Sequence, residues 1–163
     1  MQPFTAQVKK AVGQAGFFGV ILIAENRQGQ FVSSPQNLDR GHVNLDLAGG
    51  LHAVEHAVIG MLPLFAMCDR NDIGGVSTLL HPDTGAAQVF VYDAYPGGVG
   101  IAAEGLKMLQ DLWERTLELV SECPCAEGCP SCIQSPRCGN NNEPLDKAAA
   151  VLILRALLGD YDS

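Results

Sequence analysis

Leu51, Val54, Val58, Met61 and Phe65 recur at alternating steps of three and four residues, the spacing that gathers side chains along one side of an α-helix. The pattern predicts a helix that begins after Gly50 and kinks near its end at Pro63, which lacks the N–H an unbroken helix needs. A second stripe, Leu106, Leu109, Trp113, Leu117 and Val120, predicts a long helix opened by the glycine-rich turn at 94–100. A third helix is expected to start at Pro144, run through Ala148 to Leu158 and stop at Gly159. Proline suits the first helical position and glycine the residue past the last.

Between these stripes the pattern is that of strands. Phe17 to Ala24 is an unbroken β-branched and aromatic run, followed by a turn at Asn26–Gly29 and a second short run at Gln30–Ser33, which reads as a hairpin. Residues 35–50 read as a loop with one short strand at Val43–Leu47. Cys68–Gly75 reads as a turn-rich loop. Val76–Leu80 and Gln88–Asp93 form a second hairpin around Pro82, Asp83 and Gly85. The expected fold is α+β: antiparallel hairpins packed with three main helices, and a cysteine loop between the last two. Neither an internal repeat nor a linker divides the chain, so 1–163 reads as one domain, with 1–49 a helix/hairpin segment.

Composition narrows the class. The chain has 163 residues, 47% of them hydrophobic and 17% charged, enough for one domain with a real core. Lys9 and Lys10 precede no apolar run of signal-peptide type, and no stretch reads as a membrane span, so a cytoplasmic location without membrane contact is expected. The net charge of −8 argues against a surface that grips polyanions everywhere, because phosphate binding works through Lys and Arg. Any nucleic-acid contact must be local or belong to a partner.

The candidate chemistry is concentrated. Five of the six cysteines fall within 123–138, as Cys123-Pro-Cys125-Ala-Glu-Gly-Cys129-Pro-Ser-Cys132-Ile-Gln-Ser-Pro-Arg-Cys138. Thiolates this close, in a reducing compartment, point to zinc rather than disulfides, and the spacings of ferredoxin iron–sulfur sites are absent. Five sulfurs compete for four tetrahedral places. The preferred set is Cys125, Cys129, Cys132 and Cys138, which omits the cramped C-x-C neighbour and keeps Cys123 as a reserve ligand. Gly139 is expected to take a positive φ that folds backbone N–H groups onto a sulfur. Four thiolates saturate the ion, so its expected role is structural, and Cys68 reads as a small buried hydrophobe.

A second candidate lies on the first helix. His52-Ala-Val-Glu55-His56 has the H-x-x-E-H order of inverted zincins, in which two histidines bind a metal and the glutamate is the base. A third ligand would come from Asp69, Asp72, His81 or Asp93. The competing reading is a hydrogen-bonded histidine pair that braces Asp93 or the glycine turn. That turn, Tyr95-Pro-Gly-Gly-Val-Gly100, also offers backbone N–H groups to a phosphate, although no Walker A sequence is present.

Together, His52-x-x-Glu55-His56-Ala57, Asp72-Ile-Gly-Gly75, Tyr92-Asp-x-x-Pro96-Gly-Gly98-x-Gly100 and Cys125-x3-Cys129-Pro-Ser-Cys132-x5-Cys138-Gly-Asn-x-Asn-Glu-Pro-Leu-Asp-Lys147 resemble one known domain. It is the C-terminal zinc-binding domain of DEAD/DEAH-box helicases of the mitomycin-repair type. The resemblance covers roughly 50–158 and implies four zinc-binding cysteines, a helicase motor on the same or a separate chain, and DNA contacted through the full helicase. It assigns no catalytic role to His52, Glu55, His56 or Asp93. As a binding module the chain would offer Arg137, Lys147 and Arg155 near the zinc loop as local basic contacts. As a metal-dependent hydrolase it would use His52 and His56 as ligands and Glu55 as base.

Overall fold

The computed structural model describes residues 5–12, 17–25, 45–82 and 87–158. Strands β1 (Thr5–Val12) and β2 (Phe17–Glu25) precede helices α1 (Leu47–Met61) and α2 (Pro63–Ala66). A 3-10 turn (Arg70–Asp72) leads into β3 (Ile73–Thr78) and β4 (Ala87–Asp93), and α3 (Ile101–Lys107), α4 (Leu109–Glu122) and α5 (Lys147–Leu158) complete the order. The strands form one antiparallel sheet in the order β1-β2-β4-β3, with Phe17 opposite Tyr92 and Ile73 opposite Asp93. The hairpin partner of β2 is β1, a strand absent from the sequence reading, which had expected a helix/hairpin there. The expected turn at 26–29, the strand at 30–33 and the stop at Gly159 lie outside the described residues, as do residues 43–44 of the short strand expected at Val43–Leu47, whose described part is not a strand: 45–46 are irregular and Leu47 opens α1.

Helix α1 is the centre of the molecule and packs on β3, β4, α4 and α5. It begins earlier than its hydrophobic stripe suggested, because Asp46 caps it, accepting from Ala48 N at 3.0 Å. Every residue from Gly49 to Val58 is buried, polar ones included, so the helix is enclosed on all sides rather than along one stripe. Taken together, Leu47–Ala66 is long and apolar enough to cross a membrane by length and composition, contrary to the sequence reading. More than half of it is buried inside the fold, and the helix breaks at Leu62, where Pro63 opens α2.

Close backbone approach explains two glycines that looked like turn signals. A Cβ on Gly50 would lie 2.6 Å from the Cβ of Ala149, so α1 and α5 touch through this position. Gly75, read as the end of a loop, is inside β3, where a Cβ would meet Ile59 Cδ1 at 2.6 Å and Glu55 Cγ at 2.9 Å. The long second helix is in fact two. Met108 leaves helical geometry (φ −110°, ψ 25°) between α3 and α4, and Leu112, Trp113, Thr116 and Val120 form the buried side of α4. Cys68 packs half-buried against the core.

Helix α5 starts at Lys147 rather than Pro144, because Asp146 caps it by accepting from Ala149 N at 2.9 Å. The other oxygen of Asp146 accepts from Asp46 N at 2.8 Å, which ties the starts of α1 and α5 together. The cysteine loop runs between α4 and α5, over the buried length of α1.

Candidate metal centre

Sequence proximity brings five cysteines near each other, and the chain path then sorts them. Donor atoms of Cys123, Cys125, Cys129 and Cys132 lie within 4.8 Å of one another. Sulfur separations are 3.5 Å for Cys125 and Cys132, 3.6 Å for Cys123 and Cys129, and 3.8 Å for Cys129 and Cys132. A tetrahedron with Zn–S of ~2.3 Å has edges of about 3.8 Å. A disulfide requires ~2.05 Å, and all six cysteines are free. The donor set and its spacing therefore fit zinc.

The preferred ligand set of the sequence reading is not the set that the fold gathers. Cys123 completes the cluster, and Cys138 lies with His52 and His56 instead. Cys123, ahead of Pro124, is extended (φ −61°, ψ 126°), as residues before proline are. Extended backbone turns residues two apart to the same side, so the C-x-C pair converges instead of crowding. Cys138 is carried away by a closed loop: Ser135 N donates to Asn142 Oδ1 at 2.7 Å and Asn142 Nδ2 donates to Ser135 O at 3.0 Å. Left-handed backbone occurs at Gly128 (φ 117°), Asn141 and Asn142, not at Gly139.

Cys129-Pro-Ser-Cys132 makes the tight turn at the cluster's base. The carbonyl oxygen of Cys129 accepts from the N–H of Cys132 at 3.0 Å and of Ile133 at 3.2 Å, and Cys129 N donates to Cys132 Sγ at 3.4 Å. Ile133, fully buried, anchors the turn in the core. Lys147, at the first turn of α5, reaches back across the loop. Its Nζ donates to the carbonyls of Cys123 and Cys125 at 2.7 Å each and lies 3.4 Å from Cys125 Sγ. Burial alone would raise the Cys125 thiol, but hydrogen bonds from Cys132, Cys123 and Lys147 bring it down to about 7. Burial pushes Cys132 up to about 12. Nothing in the spacing of Lys147 announced this role.

The other sequence candidates separate. His52 Nδ1 bonds to Pro144 O and His56 Nδ1 to Ile133 O, both at 2.9 Å, while His52 Nε2 lies 3.3 Å from Cys138 Sγ. The histidine pair thus holds the cysteine-bearing loop and does not brace Asp93. Glu55 turns to Ser77 on β3; burial raises its carboxyl above the usual range, although bonds to Ser77 oppose this. None of the third ligands expected from Asp69, Asp72, His81 or Asp93 is grouped with the histidines among the described residues, and Cys138 stands there instead.

Asp93 is spent on structure. Its carboxylate accepts from the N–H groups of Val99 at 2.5 Å, Gly100 at 2.6 Å, Ile101 at 3.3 Å and Ala102 at 2.7 Å. It caps α3 and fills the place where a phosphate was conceivable. Asp69 and Asp72 cap the 3-10 turn, and the His81 ring lies tilted against Phe90, with centroids 5.2 Å apart. Among the proposed basic contacts, Arg137 and Arg155 are exposed, whereas the ammonium of Lys147 is committed to the loop.

Residues 54–133 match the family model described as the MrfA Zn-binding domain, a span that contains all four clustered sulfurs. Over 113 residues the chain is 41% identical to the uncharacterized protein MJ1572.1 of Methanocaldococcus jannaschii, covering 66% of this chain and 99% of that one. The chain belongs to the MrfA Zn-binding domain family. It is also 44% identical over 87 residues to the uncharacterized ATP-dependent helicase YprA of Bacillus subtilis, a stretch that is 53% of this chain and 11% of YprA. A crystal structure of the helicase MrfA bound to DNA shares the fold, with a TM-score of 0.59 and 24% identity over 96% of this chain and 25% of that one. The chain thus corresponds to a small part of each helicase.

Proposed function

We propose that this chain is a zinc-binding accessory domain serving an MrfA-like helicase in DNA unwinding and repair, with no catalysis of its own. A structural zinc ion is held by Cys123, Cys125, Cys129 and Cys132. The observation that carries the reading is the gathering of these four sulfurs within 4.8 Å, between α4 and α5. With four thiolates the ion has no open position for substrate, and its binding stabilises the loop that spans the two helices.

The acidic net charge supports packing on a motor, on the same or a separate polypeptide, over independent DNA affinity. DNA contact is left to a few exposed cations. Arg137, whose Nη1 donates to Arg70 O at 3.1 Å, and Arg155 on α5 are the exposed positions proposed. A cytoplasmic setting keeps the thiols reduced and available to metal.

The test replaces the matching segment of YprA with this chain and measures ATP-driven strand separation together with zinc content. Unwinding by the chimera, lost when Cys125→Ser and Cys129→Ser are introduced with release of zinc, is the expected result. Unwinding that is indifferent to the two substitutions would sink the reading.

A further inference from the structure

A second group of donors joins α1 to the loop that follows the four sulfurs. We propose that His52, His56 and Cys138 form a second metal site, which takes a borderline-soft divalent ion of the zinc type and leaves one position to water. The proposal rests on no part of the four-sulfur centre.

The donors are gathered and shielded. One ligand atom from each residue lies within 4.8 Å of the others, and both histidines are buried, at 8% and 9% exposure. The separation of His52 Nε2 from Cys138 Sγ, 3.3 Å, is close to the edge of about 3.6 Å expected for nitrogen and sulfur bound to one tetrahedral zinc.

The tautomers are set for ligation. Nδ1 of His52 faces the carbonyl oxygen of Pro144 and Nδ1 of His56 that of Ile133, each at 2.9 Å. A carbonyl only accepts, so each Nδ1 carries a proton, and in the neutral imidazole this leaves the lone pair on Nε2 for a metal. Metal-bound histidines are oriented in this way, by donating the other ring N–H to a backbone carbonyl. The sulfur is prepared as well, since Asn140 N donates to Cys138 Sγ at 3.4 Å.

A simple thiol–imidazole hydrogen bond accounts for less. The ring centroids of His52 and His56 are only 4.3 Å apart, and a single S–H proton serves one imidazole nitrogen, whereas a cation serves both and the sulfur. Two imidazoles and one thiolate match the three-ligand zinc sites that retain a water, and this ion would fasten the 135–144 loop to the middle of α1.

The experiment saturates the purified full chain with zinc, removes excess by gel filtration and measures metal per chain. Two ions in the wild type, and one in Cys138→Ala and in His56→Asn with circular dichroism unchanged, is the expected result. The Cys125→Ser variant reports on the other centre and should keep its ion at His52, His56 and Cys138. Should these variants misfold, cobalt(II) titration of the wild type decides. A second equivalent that adds its own thiolate-to-cobalt band supports the site, and saturation at one equivalent overturns it.

Discussion

Lys147 Nζ lies 2.7 Å from the carbonyl oxygen of Cys125 and 3.4 Å from its sulfur, so the first residue of α5 closes the cysteine loop that began at the end of α4. A charged donor shared between two carbonyls in a half-buried place is worth about 1.5–3 kcal/mol, and outer partners of a metal site typically set its affinity by about 10–100-fold. Lys147→Met is therefore expected to weaken zinc binding by about one to two orders of magnitude, as measured by competition with a chromophoric chelator.

Removing zinc should act locally before it acts globally. The loop between α4 and α5 has no strand or helix of its own to hold it, while α1 and the sheet share a continuous apolar core. Chelation is expected to raise amide hydrogen exchange across 123–146 first, with β3, β4 and the middle of α1 still protected. Uniform loss of protection would contradict this order.

Gly50 sets the distance between α1 and α5. Because a Cβ at this position would lie only 2.6 Å from Ala149 Cβ, Gly50→Val is expected to force the helices apart and destabilise the fold by about 1–3 kcal/mol, read from urea denaturation. A Cβ on Gly139 would meet nothing within 4 Å, so Gly139→Ala serves as the control and should change stability little.

Asp93 satisfies four backbone N–H groups at the start of α3. Asp93→Ala removes the cap and leaves the buried Ala102 N–H and three half-buried ones bare, an expected loss of about 2 kcal/mol or more. Asp93→Asn keeps an acceptor oxygen and should recover part of it in the same denaturation experiment.

The Tyr95 hydroxyl donates to Asp72 Oδ1 at 2.8 Å. The neighbouring carboxylate holds the phenol above its ordinary value, and the Asp69 N–H and Tyr95 hydroxyl hold Asp72 below the carboxylate range. The raised phenol contributes stability below about pH 10 that is lost as pH climbs through the folded value. The lowered carboxyl contributes above about pH 3.9 and loses its contribution as pH falls through the folded value. In an ultraviolet titration, Asp72→Asn is expected to bring the late-ionising tyrosine back toward about 10.

Whatever depends on local spacing was legible in the sequence alone. The stripe from Leu51 to Phe65, the hairpin around 80–87, and a thiolate cluster suited to zinc all follow from residue types a few positions apart, and the structure has a helix, an antiparallel pair and a sulfur cluster at these places. Long-range pairing decided the rest. Counting spacers could not tell that the extended backbone at Cys123 would turn its sulfur inward, or that the bonds between Ser135 and Asn142 would deliver Cys138 to His52. The glycines of β3 read as a loop because local propensity sees missing side chains, whereas α1 needs the absence of one at Gly75 in order to approach the sheet, and the ring of Tyr92 occupies the space left at Gly74. Polar His52, Glu55 and His56 became buried for the same reason: their partners, Pro144, Ser77 and Ile133, lie far away in sequence and meet them only once the chain has folded.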